Sequence, residues 1–129
     1  MGLTLPTNVR NTMCDAFVGM IDAGSGAGTI EMKSGASTVA GTNEVATLTF
    51  SDPAFGDASS GVATANSVTS DTNATGGTVG FFTIFDSNAL AVVQGIVHTS
   101  TGDINLSSLV VGATDTVTIS SLTFTQPAS

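Results

Sequence analysis

The sequence predicts a mainly β fold, an antiparallel β-sandwich or jelly-roll-like barrel of about seven strands behind one N-terminal α-helix. Three observations predict it. Apolar residues recur every three or four positions only between Asn8 and Asp22, the spacing of a helix that buries one face. From Gly28 onward they alternate with polar residues, as on a pleated strand. Clusters of Gly, Ser, Asn, Asp and Pro break the alternation at short intervals, which is the turn chemistry of many short strands. The 129 residues fit a single domain, with an arm over 1–7, a helix over 8–22 and a β region over 28–126.

In the helix, Val9, Met13, Phe17, Met20 and Ile21 share one face. Thr7 or Asn8 is the expected N-cap after Pro6, and Gly24 begins the glycine-rich stop. Thr29–Lys33 reads as a one-sided strand, with Ile30 and Met32 pointing one way and Glu31 and Lys33 the other. A loop over Ser34–Asn43 leads to a second strand containing Ala46, Leu48 and Phe50, which Ser51-Asp52-Pro53 ends. After a loop carrying Phe55, Gly61–Thr69 forms a weaker strand, and Ser70–Gly77 is a polar surface loop.

The segments Gly80–Phe85 and Leu90–Val97 flank the turn Asp86-Ser87-Asn88 and form a hairpin at the centre of the fold. Both of its faces are apolar. Phe81 and Phe85 oppose Phe82 and Ile84, while Leu90, Val92 and Ile96 oppose Val93 and Val97. The second face therefore needs a cover, supplied by the helix, a second sheet or another subunit. Ile104–Val111 and Thr116–Thr125 complete the set, and the change of parity across Ser120-Ser121 indicates a bulge.

Composition narrows the function. Charged residues make up 9% and hydrophobic ones 41%, against roughly a quarter charged in an ordinary domain. Disorder does not explain this, because Val, Ile, Leu and Phe are abundant and regularly spaced. A β-rich protein working inside an assembly does explain it: there, long charged side chains are costly to order and desolvate. Ten carboxylates face only Lys33 and Arg10, for a formal net charge of -8. That balance excludes a nucleic-acid partner, which needs cations to displace counterions, and disfavours an anionic membrane surface. No apolar run approaches the ~20 residues of a spanning helix. The start lacks the basic and apolar segments of a secretory signal, so synthesis in the cytoplasm is expected and the sequons at Asn73 and Asn105 read as chance matches.

Catalytic chemistry has little to draw on. His98 lies beside Thr99 and Ser100, yet no Gly-x-Ser-x-Gly elbow accompanies it, and a polar rim or interface role fits it better. Cys14 stands alone, which rules out an internal disulfide, and its place beside the helical stripe suits a small buried thiol. Gly24-Ser25-Gly26-Ala27-Gly28 follows a helix and precedes a strand, the reverse of a phosphate cradle, so it reads as a connector. Asp52, Asp57, Asp71, Asp86, Asp103 and Asp115 are too widely separated for a single-loop calcium cage and read as solvated loop tips. No enzymatic activity, cofactor or metal is expected.

The stretch Leu5-Pro6-Thr7-Asn8-Val9-Arg10-Asn11, with Asp15-Ala16-Phe17 and Ile21-Asp22-Ala23-Gly24-Ser25-Gly26-Ala27-Gly28-Thr29-Ile30, resembles a group of small virion-associated structural proteins of tailed bacteriophages. The likeness continues through Leu48-Thr49-Phe50-Ser51-Asp52-Pro53-Ala54-Phe55-Gly56 and weakens in the later strands. It implies a non-enzymatic head decoration or cement protein on the particle exterior. Such a protein works as a homo-oligomer, typically a trimer, bound to the major capsid protein. A tail, neck or fibre component is the alternative, although a sugar-binding fibre would use Trp and Tyr, which are absent. On this reading Leu3 and Leu5 of the arm and Val9, Met13 and Phe17 of the helix form the contact surface; the competing reading has the helix plug the core.

Overall fold

The strand expected over Thr29–Lys33 lies at the centre of the molecule, with Ile30 and Met32 fully buried. The structure is a computed structural model describing residues 2–35 and 37–128; Met1 of the expected arm, Ala36 of the expected loop and Ser129 lie outside the described residues. In chain order the elements are α1 (Thr7–Gly19), tightening into a 3-10 turn over Met20–Asp22, then β1 (Thr29–Lys33), β2 (Glu44–Phe50), β3 (Val62–Thr64), β4 (Val68–Thr69) and β5 (Gly77–Thr78). There follow β6 (Phe81–Phe85), β7 (Ala91–His98), β8 (Ile104–Asn105), β9 (Val110–Val111) and β10 (Thr123–Thr125).

The fold is mainly β. A curled six-stranded sheet in the order β4-β2-β1-β6-β7-β8 forms a half-barrel, joined by the two-stranded ribbons β10-β3 and β5-β9. Ile30 sits between Leu48 and Ile84, and Met32 between Ala46 and Phe82, so three strands bury one continuous apolar face. Cys14, Val18 and Ile21 of the helical segment, Phe55, and Ala63 of β3 join the same core. Each large side chain so buried contributes roughly 2 kcal/mol.

β6 and β7 form the expected antiparallel hairpin, with Phe82, Ile84 and Val93 on the inner face. Every ladder of the large sheet is antiparallel except β7 with β8, where Val97 and His98 pair in parallel with Ile104 and Asn105. Parallel neighbours ordinarily need a crossover of a dozen or more residues; here residues 99–103 suffice. The turn closes so tightly that a Cβ on Gly102 would stand 2.7 Å from the His98 nitrogen and 2.8 Å from the Ile96 carbonyl oxygen.

Several expectations are corrected. β1 is not one-sided: Glu31 and Lys33 are buried as well. The segment 34–43 folds over them, with Lys33 Nζ donating to the carbonyls of Ser37, at 3.2 Å, and of Val39. Glu31 Oε1 accepts the Gly41 N–H at 2.8 Å and lies 3.7 Å from Lys33 Nζ. The strand expected over Gly61–Thr69 is two, because its partner changes: β3 pairs with β10, a register that the Ala65 amide continues to the Leu122 carbonyl, the Asn66 amide then turns to the Ala54 carbonyl, and β4 pairs with β2. Ile104–Val111 likewise divides into β8 and β9, which serve different sheets. In Thr116–Thr125, Val117 makes a single bridge to Asp71 and only β10 is a strand, so the parity change at Ser120-Ser121 is a change of partner, not a bulge. The bulges lie at Met32/Lys33 and Ile84/Phe85. At the helix start, Pro6 occupies the N-cap without a side-chain bond, displacing the expected Thr7 or Asn8.

The helix docks on a face other than the one its apolar stripe suggests. Cys14, Val18 and Ile21 are the buried positions. On the same side, Asn11 Oδ1, Asp15 Oδ1 and Asp22 Oδ1 each accept an amide at 2.8 Å, from Gly61, Ala58 and Ala54 respectively. Those polar bonds tie the helix to the segment between β2 and β3 and fix its rotation. Gly61 is held at φ 76°, and a Cβ there would meet Arg10 Nη1 at 2.7 Å, so glycine is needed both for the turn and for the close approach.

Two stability predictions follow from these contacts. Lys33→Met removes the partner of Glu31 and leaves the carbonyls above it unsatisfied, which is expected to cost about 3 kcal/mol in chemical denaturation. Adding Glu31→Gln to that variant removes the unpaired carboxylate and is expected to recover part of the loss. Gly102→Ala is expected to cost about 2 kcal/mol and to raise hydrogen exchange at the Leu106 amide, which donates to the His98 carbonyl at 2.9 Å.

Candidate functional site

The strongest surface feature is built from the N-terminal arm and the outward side of α1. Because the clamp of Asn11, Asp15 and Asp22 turns Cys14, Val18 and Ile21 inward, Val9, Met13 and Met20 of the apolar stripe face outward, while its Ile21 is buried and its Phe17 half-buried. Val9 is 37% exposed, Met13 42%, Met20 58% and Leu3 83%. Leu5 is half-buried, and its amide donates to the Ala128 carbonyl at 2.7 Å, tying the arm to the C-terminal segment. Phe17 is also half-buried, with its ring 4.3 Å from that of Phe124, so it serves the interior as well as the surface. Thus Leu3, Val9 and Met13 stand free, whereas Leu5 and Phe17 are partly committed within the chain.

The molecule also has two apolar hollows, only the first of which reaches the helix. One, of about 290 Å³, lies between the large sheet and the β3-β10 ribbon and is lined by Phe17, Phe55, Phe82 and Phe124, with Gln94 and Asp103 also on its wall. The other, of about 570 Å³, is an open groove between the segment 34–43 and the outer side of β6 and β7, lined by Thr38, Phe81, Gln94 and Ile96.

The titratable residues are engaged in holding loops. His98 is exposed at the end of β7, where its Nδ1 lies 3.3 Å from the Thr101 hydroxyl and 3.4 Å from the Ser100 amide, closing the turn into β8. Cys14 is completely buried, its Sγ lying 3.4 Å from the Phe124 carbonyl oxygen and 3.6 Å from that of Gly61. Arg10 reaches the Ser60 carbonyl and the Thr7 hydroxyl. Gly26 donates to Ser87 Oγ, which itself donates to the Ala23 carbonyl, so the glycine-rich segment is a connector pinned to the β6-β7 turn.

Of the six acids taken as solvated loop tips, Asp52 and Asp57 are exposed, and the other four also accept backbone amides. Asp71 accepts the amides of Thr47 and Asn73, Asp86 those of Asn88 and Leu90, Asp103 that of Ile96 and Asp115 that of Gly112. They are dispersed: among the described residues, no three of His, Cys, Asp and Glu come together as a metal site would need. The signal in the sequence was the position of each acid beside a turn, where a side-chain acceptor can replace a ladder partner. Among the described residues no helix is long and apolar enough to cross a membrane.

Comparison with protein-family models, with curated proteins and with solved structures found no match. The surface must therefore be interpreted from its own chemistry. One check on the geometry concerns the thiol. In the native protein Cys14 is expected to resist a maleimide or disulfide reagent and to react at the rate of opening, becoming fast only in denaturant; rapid labelling of native protein would contradict its burial.

Proposed function

We propose that this chain is a structural component of a tailed-phage virion: a non-enzymatic head decoration or cement protein that binds the major capsid protein and its own copies. The observation that supports this reading is the outward stripe of Leu3, Val9, Met13 and Met20 on an arm and helix held firmly by the rest of the chain. Water-facing apolar side chains on a rigid element become favourable when a partner covers them. The electrostatics agree with such a role. Both cations of the chain, Arg10 and Lys33, are bonded internally, and an acidic exterior keeps a particle component from adhering to DNA.

A protein of this kind stabilises a shell by bridging neighbouring subunits, so its contacts lie on the outside of the lattice. A rigid helix with an exposed stripe suits that task because ordering it on binding costs little entropy. The trimer implied by the resemblance would gather three such helices near a symmetry axis of the shell.

The test pairs solution mass with particle binding. Wild-type protein is expected to be oligomeric by light scattering and to saturate undecorated heads in electron micrographs. Val9→Lys combined with Met13→Lys changes two partly exposed side chains, so unfolding should shift by about 1 kcal/mol or less while head binding is lost. Phe17→Asp is a poorer probe, since it also breaks the stack on Phe124. Wild-type head binding by the double variant overturns this surface, and rings that attach to tails instead of heads overturn the head assignment.

A further inference from the structure

The chain holds few groups that a mild oxidant attacks, and the fold sorts them. It has no Trp and no Tyr, one Cys and four Met. Cys14 is fully buried, its Sγ against the carbonyl oxygens of Phe124 and Gly61. Met32 is fully buried on β1, between Ala46 and Phe82. Met13 and Met20, in contrast, are 42% and 58% exposed. Among the described residues these two are the sulfur-bearing side chains that meet solvent.

They also stand together. Seven residues separate them, close to two turns of helix, so both lie on one side of α1 and the 3-10 turn that extends it, with Val9 four residues before Met13. The bonds from Asn11, Asp15 and Asp22 hold another side of the helix against the body of the chain. A thioether suits an apolar contact because it is flexible and polarisable. It is also an apolar group that a two-electron oxidant converts into a polar one, which Leu3 and Val9 are not.

We propose that Met13 and Met20 are sites of reversible oxidation by hydrogen peroxide, and that their sulfoxides switch off the contact surface of the helix, an inference that rests on the virion reading above. In the step a thioether lone pair attacks one peroxide oxygen, the O–O bond breaks and an S–O bond forms. The transferred oxygen gives its proton to the departing hydroxide, which leaves as water; sulfur loses two electrons and the peroxide gains them. Sulfoxide reductases reverse the step with electrons from a dithiol, and the oxygen again leaves as water. A sulfoxide oxygen pressed against an apolar partner that offers no donor is unfavourable. Met32 is shielded in the sheet, so the fold survives the exposure that alters the surface. The two states exclude each other: a partner seated on the helix shields both sulfurs, and an oxidised helix resists the partner. Oxidation therefore acts on free chains and spares assembled ones.

The experiment treats the full chain with dilute hydrogen peroxide and locates the added oxygen by fragmentation mass spectrometry. Trypsin releases Asn11–Lys33, which carries Met13, Met20 and Met32 together, while Met1 falls on a separate peptide. Expected is one oxygen on each of Met13 and Met20, with Met32 unmodified until denaturant is added and the circular dichroism unchanged. The oxidised chain is expected to bind undecorated heads about tenfold more weakly than the untreated chain and to regain binding after sulfoxide reductases. On heads, Met13 and Met20 of the untreated chain are expected to be protected from peroxide. Met13→Leu combined with Met20→Leu, compared with its own untreated sample, is expected to show no loss of binding on oxidation. Native Met32 reacting as fast as Met13, or Met13 and Met20 reacting only in denaturant, overturns the sites. Equal head binding before and after oxidation, or an equal loss in the double Leu variant, overturns the switch and leaves the virion reading standing. Untreated wild type that fails to bind heads overturns that reading and the switch together, and the two sites then stand on the mass spectra alone.

Discussion

Backbone polar groups that leave a ladder must find another partner, and in this chain carboxylates supply many of them. Several strands are only two or three residues long, so much of the backbone runs through turns whose amides would otherwise be orphaned. Asp15, Asp22, Glu31, Asp71, Asp86, Asp103 and Asp115 accept such amides, and Glu44 accepts the hydroxyls of Thr47 and Thr75. Bonds to an ionised acceptor are stronger than neutral ones. The acidic balance is thus a structural device before it is a surface property, and it needs few cations because the positive ends of its bonds are peptide N–H groups.

Glu31 and Lys33 carry the same device into the interior. On β1, between β2 and β6, they face the side of the sheet away from Ile30 and Met32. Two charges there would be costly if left bare. The segment 34–43 returns over them and offers carbonyls to Lys33 and an amide to Glu31, while Lys33 Nζ also stands 5.1 Å from the centre of the Phe85 ring. The second apolar face of the hairpin is thereby partly roofed from within the chain: Phe85 is buried, whereas Phe81 is half-covered and Ile96 is exposed. An internal loop therefore does part of the covering for which the helix, a second sheet or another subunit was expected.

What was legible in the sequence follows the range of the interactions. The helix, β1 and the β6-β7 hairpin rest on local periodicity and a short turn, and each is found where the pattern places it. The breaks at Ala65–Ser67 and between β8 and β9 depend on which distant carbonyl captures an amide, such as Ala54 for Asn66, and alternation continues unchanged across them. The buried side of α1 was illegible for a related reason. Val9, Met13 and Met20 outrank Cys14 in apolar bulk, yet three side-chain oxygens on Asn11, Asp15 and Asp22 meet three loop amides and decide the rotation. A hydrophobic stripe identifies a helix; the partner it meets decides which side is buried.

That last point bears on the exposed apolar groups that remain. Surface leucines and valines scattered singly need no explanation, but here they fall on two places with a geometric reason to be uncovered. Val9, Met13 and Met20 of α1 are outward because polar bonds hold another side of the helix, and Leu90 and Ile96 lie on the outer side of β7 and of the turn before it, which the loop after β1 does not reach. Neither can be covered by small readjustments, since the clamp on the helix and the tight turn at Gly102 fix the backbone beneath them. The exposure of these side chains is thus set by polar backbone and side-chain bonds elsewhere in the fold, more than by the hydrophobic content of the segments that carry them.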